Sequence, residues 1–352
     1  MRFLFVCLLS IASVNAFAIT SDSLKILFIG NSYTHMNNMP KIFERICKER
    51  QKRVIVQMNT QSGASFKVHY SRNDMFEAIK SKKWDYIVLQ GYSRELSVSY
   101  DKIDQETVPP LSKIIDSIRL YNPCSNILFY MTWGYKNGFN EALENDTYEK
   151  MTFNISNGYR YIASCYDFPI VPVGLVWAKV RAKYPTINLY DADEAHPNKN
   201  GSYLSACTFY CSIFRESVEG VITGTIDSKV AASIQKEASS FVLNNLTEIG
   251  LDRNYFEIES QRTNSGKYKL TVKASFSNTA TYTWDLGNGE IKNEPKFEYY
   301  YKKPGIYRIK LSVNDFCGSR VYTRTVKYVA PPKPLKYPKS KPTKKVYTKR
   351  KN

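Results

Sequence analysis

The sequence holds only three histidines, His35, His69 and His196, so any reaction that needs an imidazole base has few places to find one. It also lacks long apolar runs. After the first eighteen residues, none approaches the roughly 18 to 20 residues that span a bilayer, so no transmembrane helix is expected. Cysteine is sparse and scattered: Cys47, Cys124, Cys165, Cys207, Cys211 and Cys317 do not form the dense framework of a small disulfide scaffold, and spacing alone fixes no pairing. Cys207 and Cys211 share a helical face, but no CxxC or histidine cluster accompanies them. They read as core residues, and no metal or cofactor is expected.

Acidic side chains are missing altogether from the last stretch, "PPKPLKYPKSKPTKKVYTKRKN", residues 331–352. Its nine Lys and Arg account for half of the net charge of +18. Such a segment cannot form a core and is expected to be disordered, either as a solvated terminus or as a tether to an anionic polysaccharide or the cell envelope. Nucleic acid is not the expected partner, because the chain opens like an exported protein. Met1-Arg2, the apolar "FLFVCLLSIASV" and Ala16-Phe17-Ala18 have the order of a leader peptide, residues 1–18, cleaved after Ala18. Val6 before Cys7 is not small, which argues against a lipoprotein. The mature protein is therefore expected to be secreted or periplasmic.

Between these ends the pattern changes once. Up to about Asn245, the runs "LKILFIG", "RVIVQMN", "WDYIVLQ", "SNILFYMTW" and "FPIVPVGL" alternate with amphipathic stretches such as "NMPKIFERICKER" and "TVPPLSKIIDSIRLYN". That alternation predicts βαβ units: a three-layer α/β/α domain over residues 19–248 with a five-stranded, mostly parallel sheet. Two helices, near Lys199 to Phe214 and Asp227 to Asn245, are expected to close it. From residue 254 to 330 the period becomes two, with Gly-Asn-Gly and Pro-Gly turns, which predicts an all-β sandwich. "YTWDLGNG" followed by "YKKPGIYRIKLSVND" resembles the PKD type of immunoglobulin-like module, a spacer or adhesion unit in exported enzymes.

The candidate chemistry begins at Gly30-Asn31-Ser32, where the first strand stops. Ligands of parallel α/β folds sit outside the carboxyl ends of the strands, which makes Ser32 a candidate nucleophile. Its partner is read at the far end of the same domain. Asp193 lies three residues before His196, close enough for a turn to bring its carboxylate to the imidazole and fix the tautomer. The competing reading has Asp193 cap the following helix while His196 only packs beside it.

Gly30-Asn31-Ser32 and Asp193-x-x-His196-Pro197, in this order, resemble the SGNH (GDSL-like) hydrolase superfamily over about residues 24–215. The resemblance implies Ser32 as nucleophile, His196 as general base and Asp193 as its orienting acid. It also implies an oxyanion hole from the Ser32 N–H, the Gly63 N–H in "QSGASF" and an amide side chain after the third strand. The family's Gly-x-Asn-Asp is absent there, so Gln90 in "VLQGYSRE" is assigned the asparagine's role. Asn31, in place of the usual Asp before the serine, is expected to hold the turn, and with His35, His69 and Trp133 to border the substrate. The alternative is that the two histidines are only surface or packing residues and that Trp133 belongs to the core instead of stacking on a sugar. Ser93 also follows a strand, but Glu95 stands where a Gly-x-Ser-x-Gly elbow needs glycine.

The implied activity is a secreted serine esterase acting through an acyl-enzyme on O-acylated, in particular O-acetylated, carbohydrate. A catalytically degenerate glycan-binding or adhesion protein on the same scaffold, and a lipase or thioesterase for long acyl chains, are the alternatives.

Overall fold

The computed structural model describes residues 23–222, 224–251, 256–262, 268–274 and 280–328. The expected leader, residues 1–18, and the basic tail, residues 331–352, lie outside the described residues. The chain divides near residue 253 into two compact units.

In the first unit, β1 (Leu24–Gly30), β2 (Val54–Thr60), β3 (Tyr86–Leu89), β4 (Asn126–Tyr130) and β5 (Ile170–Val171) form one parallel sheet in the order β2-β1-β3-β4-β5. The strand sequences explain its depth in the molecule. Ile26, Leu27, Phe28 and Ile29 are all fully buried, and alternate residues enter opposite cores. A sheet covered on both faces requires such continuous apolar runs.

The first helix, α1 (Ser32–His35), is a single turn at the end of β1. One face of the sheet is packed by α2 (Met39–Glu49) and the other by α3 (Phe66–Tyr70) and α4 (Asn73–Lys80). Next, α5 (Tyr100–Lys102) runs through a π-turn at Ile103–Thr107 into α6 (Val108–Tyr121), where Pro109 and Pro110 offer no N–H to the preceding carbonyls. With α6, α7 (Tyr148–Tyr166) completes the second face. On the first face stand α8 (Val173–Lys183), α9 (Lys199–Phe214) and α10 (Ser228–Asn244). Every residue of α9 from Gly201 to Ile213 is buried, because α2, α8 and α10 surround it. Cys207 and Cys211 lie on this helix as buried thiols within the apolar core.

The expected fifth strand is shorter than "FPIVPVGL". Only Ile170 and Val171 pair with β4; Pro172 cannot donate to the ladder, and the chain turns into α8.

The second unit contains two antiparallel sheets. The first is β10-β7-β6, from β6 (Phe256–Arg262), β7 (Tyr268–Ala274) and β10 (Lys296–Tyr301). The second is β12-β11-β8-β9, from β8 (Thr281–Asp285), β9 (Ile291–Lys292), β11 (Gly305–Asp315) and β12 (Gly318–Tyr328). Trp284, Leu286, Leu311 and Val313 are buried in its own core with Leu270 and Val272. The Trp-Asp-Leu-Gly-Asn-Gly motif is a turn signal: Asp285 Oδ1 accepts the Gly287 N–H at 2.9 Å, and Tyr301 donates its hydroxyl to Leu286 O at 2.8 Å.

Candidate active site

Asn31 caps α1 with its own side chain, since Oδ1 accepts the Tyr33 N–H at 3.0 Å. This makes Ser32 the first residue of the helix, where a backbone N–H has no intrahelical acceptor. Ser32 Oγ lies 2.8 Å from His196 Nε2. His196 Nδ1 meets Asp193 Oδ2, and Asp193 Oδ1 accepts the backbone N–H groups of Ala195 and His196 at 3.1 and 2.9 Å. Asp193 therefore serves the turn and the imidazole together. Partial burial opposes its ionisation, but the hydrogen bonds from the His196 ring and from the two N–H groups outweigh it and hold the carboxyl below its ordinary range.

The loop that delivers this pair is a tight hairpin closed by a bridge between Tyr190 and Pro197 and by Asp191 N–H to His196 O at 2.9 Å. Glu194 at its tip is left-handed and clasped by Lys136 at 2.7 Å and Asn137 at 2.6 Å. Beneath the loop, Trp133 donates its indole N–H to Ala195 O at 3.1 Å and is stacked between Tyr33 at 4.4 Å and Trp177 at 4.0 Å. Tyr33 in turn meets the His196 ring edge-to-face at 5.4 Å.

A cavity of about 540 Å³ opens over Ser32, bordered by His35, Gly63, Tyr92, Ser93, Tyr135 and His196. Gly63 sits in the turn after β2 with φ of +69°, a conformation that disfavours a side chain. His35 also reaches this cavity; burial, then the nearby His196, lowers its pKa.

Three expected site residues are placed elsewhere. Gln90 is completely buried inside the turn: its Oε1 accepts from Asn31 N–H and Thr34 Oγ1, both at 2.9 Å, and its Nε2 donates to Gly91 O. It braces the Ser32 turn and does not border the cavity, which corrects its expected role as oxyanion donor. The space for this bracing exists because residue 30 is glycine; a Cβ there would stand 2.5 Å from Gln90 Oε1. His69, expected at the substrate, is fully buried on α3, and desolvation, then Arg72, pulls its pKa down to about 4. Trp133 is fully buried as well, so it supports the site from below and offers no face to a sugar. Asn31 does border the cavity, but its Nδ2 is engaged by Ala64 O and Gly91 O, both at 3.2 Å.

The reading of the sequence missed Tyr33, Tyr92 and Tyr135 in the cavity wall. It also placed Ser93 only as a rival nucleophile. Its position in Gly91-Tyr92-Ser93-Arg94, the spacing of Gly-x-Asn-Asp, was the available signal. Among the described residues, no group of three or more His, Cys, Asp or Glu side chains is disposed to hold a metal ion.

The parallel sheet and its helical layers form a three-layer α/β fold with a serine at the end of the first strand, followed by a second, all-β unit. Residues 256–329 match the family model of the PKD domain. The chain is similar in structure to a DUF4886 family protein from Bacteroides uniformis, which it covers completely, over 65% of its own length, with 21% identity and a TM-score of 0.56. A candidate SGNH hydrolase from Slackia heliotrinireducens aligns over 53% of this chain and 97% of its own, at 23% identity and a TM-score of 0.43. For an acetyl xylan esterase variant from Geobacillus stearothermophilus the values are 53%, 92%, 16% and 0.38. No curated protein sequence matches the chain.

Proposed function

We propose that the first unit is a serine esterase in which Ser32 attacks the ester carbonyl, His196 takes the Ser32 proton and returns it to the leaving alcohol, and Asp193 orients the imidazole. The observation that carries this reading is the continuous contact from Ser32 Oγ through both His196 nitrogens to Asp193. Water then cleaves the acyl-enzyme by the same relay. The Ser32 and Gly63 N–H groups serve as donors to the developing oxyanion.

The cavity lining supports a short acyl group on a hydroxyl-rich alcohol, such as O-acetylated carbohydrate. Ser62, Ser93, His35 and three tyrosines in the wall place hydroxyls and an imidazole where the hydroxyls of such an alcohol can be bound. Export is part of the same proposal, on the strength of the charged and apolar leader and the appended PKD domain.

Labelling by a fluorophosphonate, read as intact mass, tests the reading. The purified protein should gain one adduct and hydrolyse p-nitrophenyl acetate, and Ser32→Ala should lose both while keeping its melting temperature. Turnover retained in Ser32→Ala would sink the assignment.

A further inference from the structure

The buried position of Gln90 leaves the cavity that Ser32 and Gly63 border without a free amide side chain, since the Asn31 amide is also engaged. Hydroxyls stand there instead. Ser93, only 6% exposed, borders the cavity with Ser32 and Gly63, and its Oγ lies 2.8 Å from the Tyr135 hydroxyl in the same wall. Among the described residues no histidine is hydrogen-bonded to Ser93, whose Oγ meets Tyr135, so no base is set to activate it as a nucleophile.

We propose that the Ser93 hydroxyl, oriented by Tyr135, is the third donor to the oxyanion formed at Ser32; the inference rests on the esterase reading. A serine hydroxyl carries one proton and two lone pairs. Donation from Tyr135 into one lone pair turns the Ser93 proton toward the cavity and strengthens it as a donor. The Tyr135 phenol is a donor as well as an acceptor, so it has a proton to give. As Ser32 Oγ bonds to the carbonyl carbon, its proton passes to His196 Nε2. The carbonyl π pair moves onto oxygen, where Ser93 Oγ–H and the two N–H groups receive it. On collapse, that pair reforms the carbonyl and the alcohol departs with the His196 proton.

The test uses the full chain, p-nitrophenyl acetate and a phenylboronic acid, which forms a tetrahedral adduct on an activated serine. Ser93→Ala should lower kcat about 100-fold with KM within about two-fold, the signature of a lost transition-state donor. Boronate affinity should fall by a similar factor, and Ser93→Thr, which keeps the hydroxyl, should recover most of the rate. Tyr135→Phe should lose about 10-fold in kcat, and it carries the comparison should Ser93→Ala not fold. Unchanged kcat and boronate affinity in Ser93→Ala or Tyr135→Phe, in an enzyme that Ser32→Ala inactivates, would overturn this inference alone. A native protein with neither turnover nor labelling would overturn the esterase reading beneath it.

Discussion

Trp133 shows how a residue can matter to a site without touching its ligand. Its indole N–H holds Ala195 O, the carbonyl between Asp193 and His196, and its ring supports Tyr33 under the imidazole. Trp133→Phe keeps an aromatic ring in the stack but leaves that partly buried carbonyl without its donor, at a cost of about 1 kcal/mol in stability. With the loop less firmly held, kcat should fall about 10-fold while KM stays nearly constant, because the error is in alignment of the base. Thermal melts and steady-state kinetics on one preparation check this. A sugar-stacking Trp133 would give the opposite pattern, with KM rising and stability unchanged.

At the scale of elements, the segment after β3 carries Glu95, a buried carboxyl whose charge state responds to pH near neutrality. Glu95 accepts the N–H groups of Tyr92 at 2.8 Å and Phe66 at 3.1 Å, tying this segment to the start of α3. Burial raises its pKa from 4.5 to about 7, against those same hydrogen bonds. The sign of the stability effect follows from the protons bound. Between pH 4.5 and 7 the folded state keeps a proton on Glu95 that the unfolded chain has released, so stability falls as pH rises through this window. Urea unfolding at pH 5 and pH 8 should show a loss in the native protein exceeding that of Glu95→Gln by up to about 3 kcal/mol. Equal losses in the two proteins would mean that Glu95 is not the group responsible.

The same segment shows where the sequence was legible. β1 and the Asp193–His196 turn are written in contiguous residues, by apolar runs and by a three-residue spacing, and the structure contains both. The fate of Gln90 is not local: its Oε1 is claimed by Asn31 and Thr34, from a turn that meets it only once β1 and β3 pair. Trp133 likewise turns inward because Trp177 of α8 stacks on it. His69 on α3 and the two-residue β5 depended on packing of the same long-range kind.

The whole molecule consists of two units with separate cores. The cores on both sides of the parallel sheet are built from residues between 24 and 251, and the apolar core of the PKD domain from residues between 258 and 328. Every residue bordering the Ser32 cavity lies between Asn31 and His196. A chain ending at residue 252 should therefore retain its turnover of p-nitrophenyl acetate to within about two-fold, since a domain with its own core can fold by itself. If the PKD domain serves to hold the enzyme near a polymer, the shortened chain should lose rate on an insoluble O-acetylated glycan while its rate on the small ester is preserved. That difference would locate the contribution of the second unit in effective substrate concentration. Equal loss on both substrates would place it in the stability of the catalytic unit instead, and a matching fall in the melting temperature of the shortened chain would accompany it.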